Sequence, residues 1–225
     1  MRKVLVAVTL AASVGLLLGA SAPASAGTLD QQQNSSDSNA GLFSTQSIAQ
    51  TFTPGMSGIV DQTDVVLSRF GTPPVSVTLQ IRNASGGQPG NTVLASGSLN
   101  TSGIGATKSF VPFTFAAPAL VTAGTQYTVV VYSPGAVGNA IGAWYQGANV
   151  YSGGSLYYGG GGIPPMGSWI SQPTSDLAFK TYVAPAPPPA ASATGQRAAA
   201  LKKCKKKRSA RARRKCKRKA KLLPV

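Results

Sequence analysis

Histidine and glutamate are absent from all 225 residues, and the five acidic side chains are Asp30, Asp37, Asp61, Asp64 and Asp176. Without histidine there is no imidazole base for a nucleophilic triad, and without glutamate no glutamate acid/base pair. Cys204 and Cys216 are the only cysteines, so everything before them lacks both a disulfide and a thiol nucleophile. Helical patterning is scarce too, because no window before residue 184 sustains an apolar period of 3.6. What is left for catalysis is hydroxyls without a base and a few scattered carboxylates. The expectation is a protein that is not an enzyme, with a weak hydrolase as the remaining catalytic reading.

Charge is present but unevenly placed. Of 21 Lys and Arg, two are Arg2 and Lys3, and fifteen follow from Arg197 onward. Between Gly27 and Val183 only Arg69, Arg82, Lys108 and Lys180 face the five aspartates, a net of −1. The formal +16 of the chain therefore describes its tail and not the segment able to fold.

Residues 1–26 have the pattern of a signal peptide. Met1-Arg2-Lys3 is a basic start, Val4 to Ala20 is almost wholly apolar, and Ala24-Ser25-Ala26 is the small-x-small site a signal peptidase accepts. Cleavage after Ala26 would leave no transmembrane helix, and the expected location is secreted or cell-surface. Residues 27–46 are rich in Gln, Asn and Ser and read as a flexible arm, too polar to offset its ordering entropy. Residues 184–200 read as a Pro/Ala linker, extended in its proline half. Residues 201–225 are a polybasic tail.

Residues 47–183 carry the strand signals. In Val75-Ser76-Val77-Thr78-Leu79-Gln80-Ile81-Arg82 the apolar residues alternate with polar ones, the period of a half-buried strand. Further strands are expected at 47–53, 59–70, 92–99, 108–115, 126–133, 140–146 and 176–183. Gln88-Pro89-Gly90-Asn91 fits a type II turn, and Pro112 suits a strand edge or bulge. The expected fold is all-β, a single antiparallel sandwich of jelly-roll type with about eight strands.

Two stretches carry a resemblance. Ala49-Gln50-Thr51-Phe52-Thr53, followed by GMSGIVDQTDVVLSRFGTPPVSVTLQIRN and GGQPGNTVLASGSL, is similar to the opening of bacterial secreted β-sandwich modules of the choice-of-anchor groups. Their last strand often follows a tryptophan, as Asp176–Tyr182 follows Trp169 here. The resemblance implies a carbohydrate-module-like or galactose-binding-like sandwich at the cell surface and hands over no catalytic residue. The tail, with its Lys-Leu-Leu-Pro-Val ending, resembles those of secreted actinobacterial proteins.

Three features are candidates for function. Trp144, Tyr145, Tyr151, Tyr157, Tyr158 and Trp169 lie in a glycine-rich stretch, and flat rings with nearby amides suit the apolar face and hydroxyl edge of a sugar. The same residues equally suit packing, and the adjacent Tyr157 and Tyr158 must face opposite ways if extended. Asp61 and Asp64, three apart, also point to opposite faces of a strand. They fit a solvated turn or bulge or, with backbone carbonyls, a calcium ion, the one cofactor considered. A hydrolase would need two carboxylates about 5–10 Å apart, and Asp61, Asp64 and Asp176 are the available ones.

The third feature is the tail. Lys202, Lys203, Lys205, Lys206, Lys207, Arg208, Arg211, Arg213, Arg214, Lys215, Lys217, Arg218, Lys219 and Lys221 are unrelieved by any acid, so the tail is expected to be disordered. Its charge suits anionic envelope polymers or lipids. No aromatic is interleaved, so sequence-specific nucleic acid is not an expected partner. Cys204 and Cys216 would stand about 18 Å apart in one continuous helix, whereas a disulfide needs Cα atoms within about 7 Å. Bridged and unbridged tails both stay open: a bridge requires the chain to fold back, export favours it, and the cationic loop opposes it. Two thiols without histidine make a poor zinc site.

Overall fold

A computed structural model of the protein describes residues 27–160, 168–186 and 196–223. The expected signal peptide and most of the linker lie outside these residues. The strands are β1 (Thr28–Gln33), β2 (Ser38–Leu42), β3 (Gln46–Phe52), β4 (Gly58–Phe70), β5 (Ser76–Ser85), β6 (Gln88–Asn100) and β7 (Ser109–Val121). After them come β8 (Tyr127–Tyr132), β9 (Ala140–Gln146), β10 (Leu156–Gly160), β11 (Trp169–Gln172), β12 (Asp176–Leu177) and β13 (Phe179–Ala184). They form two antiparallel sheets, the all-β sandwich that the alternation leads one to expect.

In the first sheet β4 is the central strand. β7 pairs along one edge, with Pro112 opposite Asp64, while β13 and then β9 share the other. β1 and β2 extend the sheet outward from β13 and β9. The fork lies at Ala178, whose N–H donates to the Trp144 carbonyl and whose carbonyl accepts from Val66 N, both at 3.0 Å. That crossing divides the final segment into β12, on β9, and β13, on β4. The second sheet runs β11-β10-β3-β8-β5-β6.

Alternation fills the space between the sheets. Ile48 and Phe52, Val77, Leu79 and Ile81, Val129 and Val131 meet Val65, Leu67, Phe113, Ile141, Leu177 and Phe179, all fully buried. Each such side chain contributes about 1.5–3 kcal/mol. Val75 departs from the expected row because it precedes β5, and it is 76% exposed.

The segment 27–46 is a correction to the flexible arm: it forms β1 and β2. Its strands are held by ladder pairing, and two glutamines reach inward to polar partners, so low hydrophobicity does not leave it loose. With β10, β11 and the divided final segment, this raises the count from about eight strands to thirteen among the described residues. The turn expected at Gln88–Asn91 lies two residues earlier. Gly86 and Gly87 have φ of 58° and 80°, and Ser85 faces Gln88 across a two-residue hairpin loop.

That hairpin does not stay flat. Register shifts on either side of Arg82 bend it, and its tip folds over the outer face of the second sheet, where the Tyr157 hydroxyl of β10 donates to the Gly87 carbonyl at 2.9 Å. Ala49, Val130 and Tyr157 form a second small cluster on this face, with Tyr132 and Trp169 against it. Arg82 is 4% exposed and donates to the Gln80 side-chain oxygen from Nε at 2.8 Å and Nη2 at 2.6 Å. Burial holds its guanidinium below the usual arginine range.

One polar link joins the two sheets through the core. Gln50 of β3 lies between Ile48 and Phe52 on the inward row and is fully buried. Its Nε2 donates to Asp176 Oδ1 at 3.1 Å, and its Oε1 accepts from Leu177 N at 2.8 Å. The other carboxylate oxygen accepts from Val150 N at 2.8 Å and Tyr151 N at 2.9 Å. From β1, Gln33 donates to the Asp176 carbonyl at 3.1 Å, and Gln31 accepts from the Tyr151 hydroxyl at 2.9 Å. Burial pushes the Tyr151 phenol up to about 12.

Asp176→Ala strands a buried amide and two N–H groups, so it should lower unfolding free energy by about 3 kcal/mol or more in urea titration. Asp176→Asn, which keeps one acceptor, should cost less. Equal, negligible losses would show that the link contributes little.

Candidate functional site

The polybasic tail is ordered, which corrects the expectation of disorder. Helix α1 (Gln196–Lys205) and helix α2 (Ala210–Ala220) form a hairpin. Ala, Leu, Lys, Arg and Gln are strong helix formers, but like charges one turn apart oppose the helix. The cross-link supplies what local propensity does not: Cys204 and Cys216 form a disulfide with Cα atoms 5.4 Å apart. The chain reverses after α1, and the Ser209 Oγ caps α2 by accepting from Ala212 N at 3.2 Å. At the open end the Arg197 guanidinium donates to the Lys221 carbonyl.

Within the hairpin Cys204 is fully buried and Ala220 nearly so. All fourteen Lys and Arg side chains from Lys202 to Lys221 are exposed. Lys202, Lys203 and Lys205 end α1, and Lys217, Arg218 and Lys219 end α2, where cations suit the helix dipole. Arg211 and Arg213 in the first turn of α2 oppose it. The result is a compact, cross-linked body with positive charge all around it.

The six aromatic candidates do not form one site. Tyr145, Tyr151 and Tyr158 turn into the space between the sheets. Tyr145 and Tyr158 meet edge to face at 6.3 Å between centroids, as Tyr151 and Phe179 do at 5.2 Å. Burial pushes the Tyr158 phenol well up, with the Tyr145 hydrogen bond adding to it. Trp144 lies on the outer face of the first sheet, its Nε1 donating to Ser68 Oγ at 2.8 Å and Lys108 standing 4.6 Å over its ring. Tyr157 and Trp169 lie on the outer face of the second sheet. The two tryptophans thus occupy opposite faces of the sandwich.

Trp169 borders an open cleft. Its ring lies over Gly159, where an added Cβ would come within 2.7 Å of the indole. The cleft, about 620 Å³, is otherwise lined by Asn83, Ser85, Gln88, Pro89, Gly90, Asn91 and Thr92 of the bent hairpin, and by Ser168. Asn149, an amide close to the six aromatics in sequence, does not line the cleft and donates to the Pro173 carbonyl at 3.0 Å. Asn83, Gln88 and Asn91 gave no sequence signal, because only the bend in the hairpin brings them to Trp169.

Each aspartate accepts hydrogen bonds from the protein. Asp30 takes Gly55 N, Asp37 takes Gly147 N, and Asp61 takes Gly27 N. The Gly147 N–H holds the Asp37 carboxyl below the usual range. Asp64 accepts from Gln62 Nε2 at 2.8 Å and from the Tyr182 hydroxyl at 3.0 Å. Asp61 stands at a bulge in β4, so the aspartates considered for calcium have separate partners. Among the described residues no group of three or more His, Cys, Asp or Glu side chains is placed to hold a metal ion. No described helix is long and apolar enough to cross a membrane.

No protein-family model matches the chain, and no curated protein matches it. Gln50, of the Ala49–Thr53 stretch, forms the inter-sheet link, and Pro89 and Gly90 are buried in the bent hairpin.

Helices of 10 and 11 residues fall below the roughly 12–15 needed for stability alone. Reduction of Cys204–Cys216 should therefore abolish the tail's far-ultraviolet helical signal without moving the thermal transition of the cysteine-free sandwich. Helicity that survives reduction would show that the cross-link is dispensable.

Proposed function

We propose that this is an exported, non-catalytic β-sandwich protein of the cell surface, held at anionic envelope polymers or lipids by its polycationic hairpin. The observation that carries this reading is the display of fourteen exposed cations, with no acid among them, on a disulfide-closed hairpin of two helices and the turn that joins them. A disulfide suits an oxidising, extracytoplasmic compartment. Phosphate-bearing polymers and lipids supply dense negative charge, and release of their counterions would drive the association. The tail has no aromatic for base stacking, so the attraction is electrostatic and indifferent to sequence. Support for the non-catalytic part comes from the aspartates, each of which is an acceptor for backbone or side-chain donors of the fold.

The division of charge gives the two parts separate duties. The sandwich, at a net −1 between Gly27 and Val183, has little attraction of its own for a negative surface, and the tail supplies it.

Binding to isolated cell envelopes should fall steeply with salt, by about 10³-fold or more between 50 and 200 mM if six or more phosphates are engaged. A chain ending at Ala186 should not bind at either concentration. Retention of the truncated chain, or of the full chain in 1 M salt, would sink electrostatic anchoring.

A further inference from the structure

We infer that the cleft between the bent β5–β6 hairpin and Trp169 is a binding site for a neutral glycan. This site is independent of the polycationic tail. Asn83, Gln88, Asn91, Thr92 and Ser168 line the cleft with amides and hydroxyls, the Asn83 Oδ1 already accepting from Thr92 N at 2.9 Å, and Trp169 supplies an aromatic ring. Each amide both donates and accepts, which matches neighbouring sugar hydroxyls that do the same. The indole is held against Gly159 and is partly exposed, so a pyranose can lay its C–H face on a ring already fixed in place.

Size and charge narrow the ligand class. A volume of about 620 Å³ lies within the roughly 300–1,000 Å³ of small-molecule sites. The lining contains no Lys, Arg or Asp, so it offers an acidic sugar no counter-charge and a nucleotide no phosphate contact. Gln88, Asn91 and Thr92 are exposed, leaving the cleft accessible to an extended chain from solvent.

The full-length protein would be titrated with neutral hexose and N-acetylhexosamine oligosaccharides in about 0.5 M salt, which screens the tail, with isothermal titration calorimetry as the readout, because the reporter must survive loss of Trp169. At least one should bind saturably, and Trp169→Ala should weaken it by about tenfold or more. Gln88→Ala and Asn91→Ala, at exposed positions, should weaken it without a change in melting. Trp144→Phe, on the opposite face, should leave it unchanged. Absence of binding across the panel, or binding unaffected by all three cleft substitutions, overturns the site. A peptide or nucleotide that alone occupies the cleft does the same.

A separate observation concerns Gly27. Its nitrogen lies 3.0 and 3.2 Å from the two carboxylate oxygens of Asp61, yet a peptide N–H has one hydrogen for two acceptors. An ammonium has three hydrogens and a full positive charge. A Cβ at this position would fall 2.4 Å from the Val183 carbonyl carbon, so only glycine fits. We propose that Asp61 receives the α-ammonium released when a signal peptidase hydrolyses the Ala26–Gly27 bond. Water's oxygen joins the Ala26 carbonyl carbon, and Gly27 N leaves as the amine and is protonated.

This rests on the export reading, and two measurements keep their failures apart. Intact mass of the secreted protein should place its first residue at Gly27; any other start overturns both the processing and the capture. Chemical acetylation of that amine should lower Tm by about 2–4 °C, and Asp61→Asn should remove the difference. A paired ammonium has a raised pKa, so its stabilisation is complete below about pH 8, the ordinary amine value, and is lost as pH rises further. A Gly27 start with Tm insensitive to acetylation overturns the capture alone.

Discussion

The sandwich depends on one buried aspartate held from three directions. Asp176 is the most buried of the aspartates, and a polar group in that place is tolerable only when it is hydrogen-bonded. Gln50 reaches it from the opposite sheet, Val150 and Tyr151 donate their N–H groups from the connection after β9, and Gln33 binds its backbone from β1. These contacts fix the spacing of the sheets, pin a long loop, and hold the chain where β12 gives way to β13. In a domain with no disulfide of its own, this polar network does what a covalent tie does elsewhere.

The bent hairpin has a comparable effect on the outside. A flat β5–β6 ribbon would leave Ala49 and Val130 in water, whereas the folded tip makes a partial third layer over them. That layer buries Arg82 against Gln80 and, at its margin, brings a row of amides up to Trp169. The same bulges that close the small outer cluster therefore create the concavity beside it.

Much of this architecture was legible in the sequence, wherever burial follows a simple period. Val77, Leu79 and Ile81 point inward as their alternation requires, and Tyr157 and Tyr158 face opposite ways as neighbours on a strand must. What was not legible depended on partners distant in sequence. The Gln-rich stretch looks too polar to fold until Gln31 and Gln33 are seen against Tyr151 and Asp176. Gln50 did leave a trace, as a polar residue in an inward row between Ile48 and Phe52. Its meaning came only with the opposite sheet. The hairpin turn was misplaced because Pro89-Gly90 is the stronger local signal, although Gly86-Gly87 supplies the two positive φ angles. The cleft had no trace at all, since its sides meet through a bend.

The closed tail shifts the moment at which its ordering entropy is met. A disordered polycation folds or stiffens upon its partner and gives up part of its binding free energy in doing so. In this hairpin the chain is already confined by the bond between Cys204 and Cys216, so contact with a polyanion leaves the backbone little to lose. Fixed helices also hold the cations at set intervals. On the proposed function, such a body would respond to how a polymer spaces its charges along its length, whereas a slack chain of equal charge adapts to any spacing.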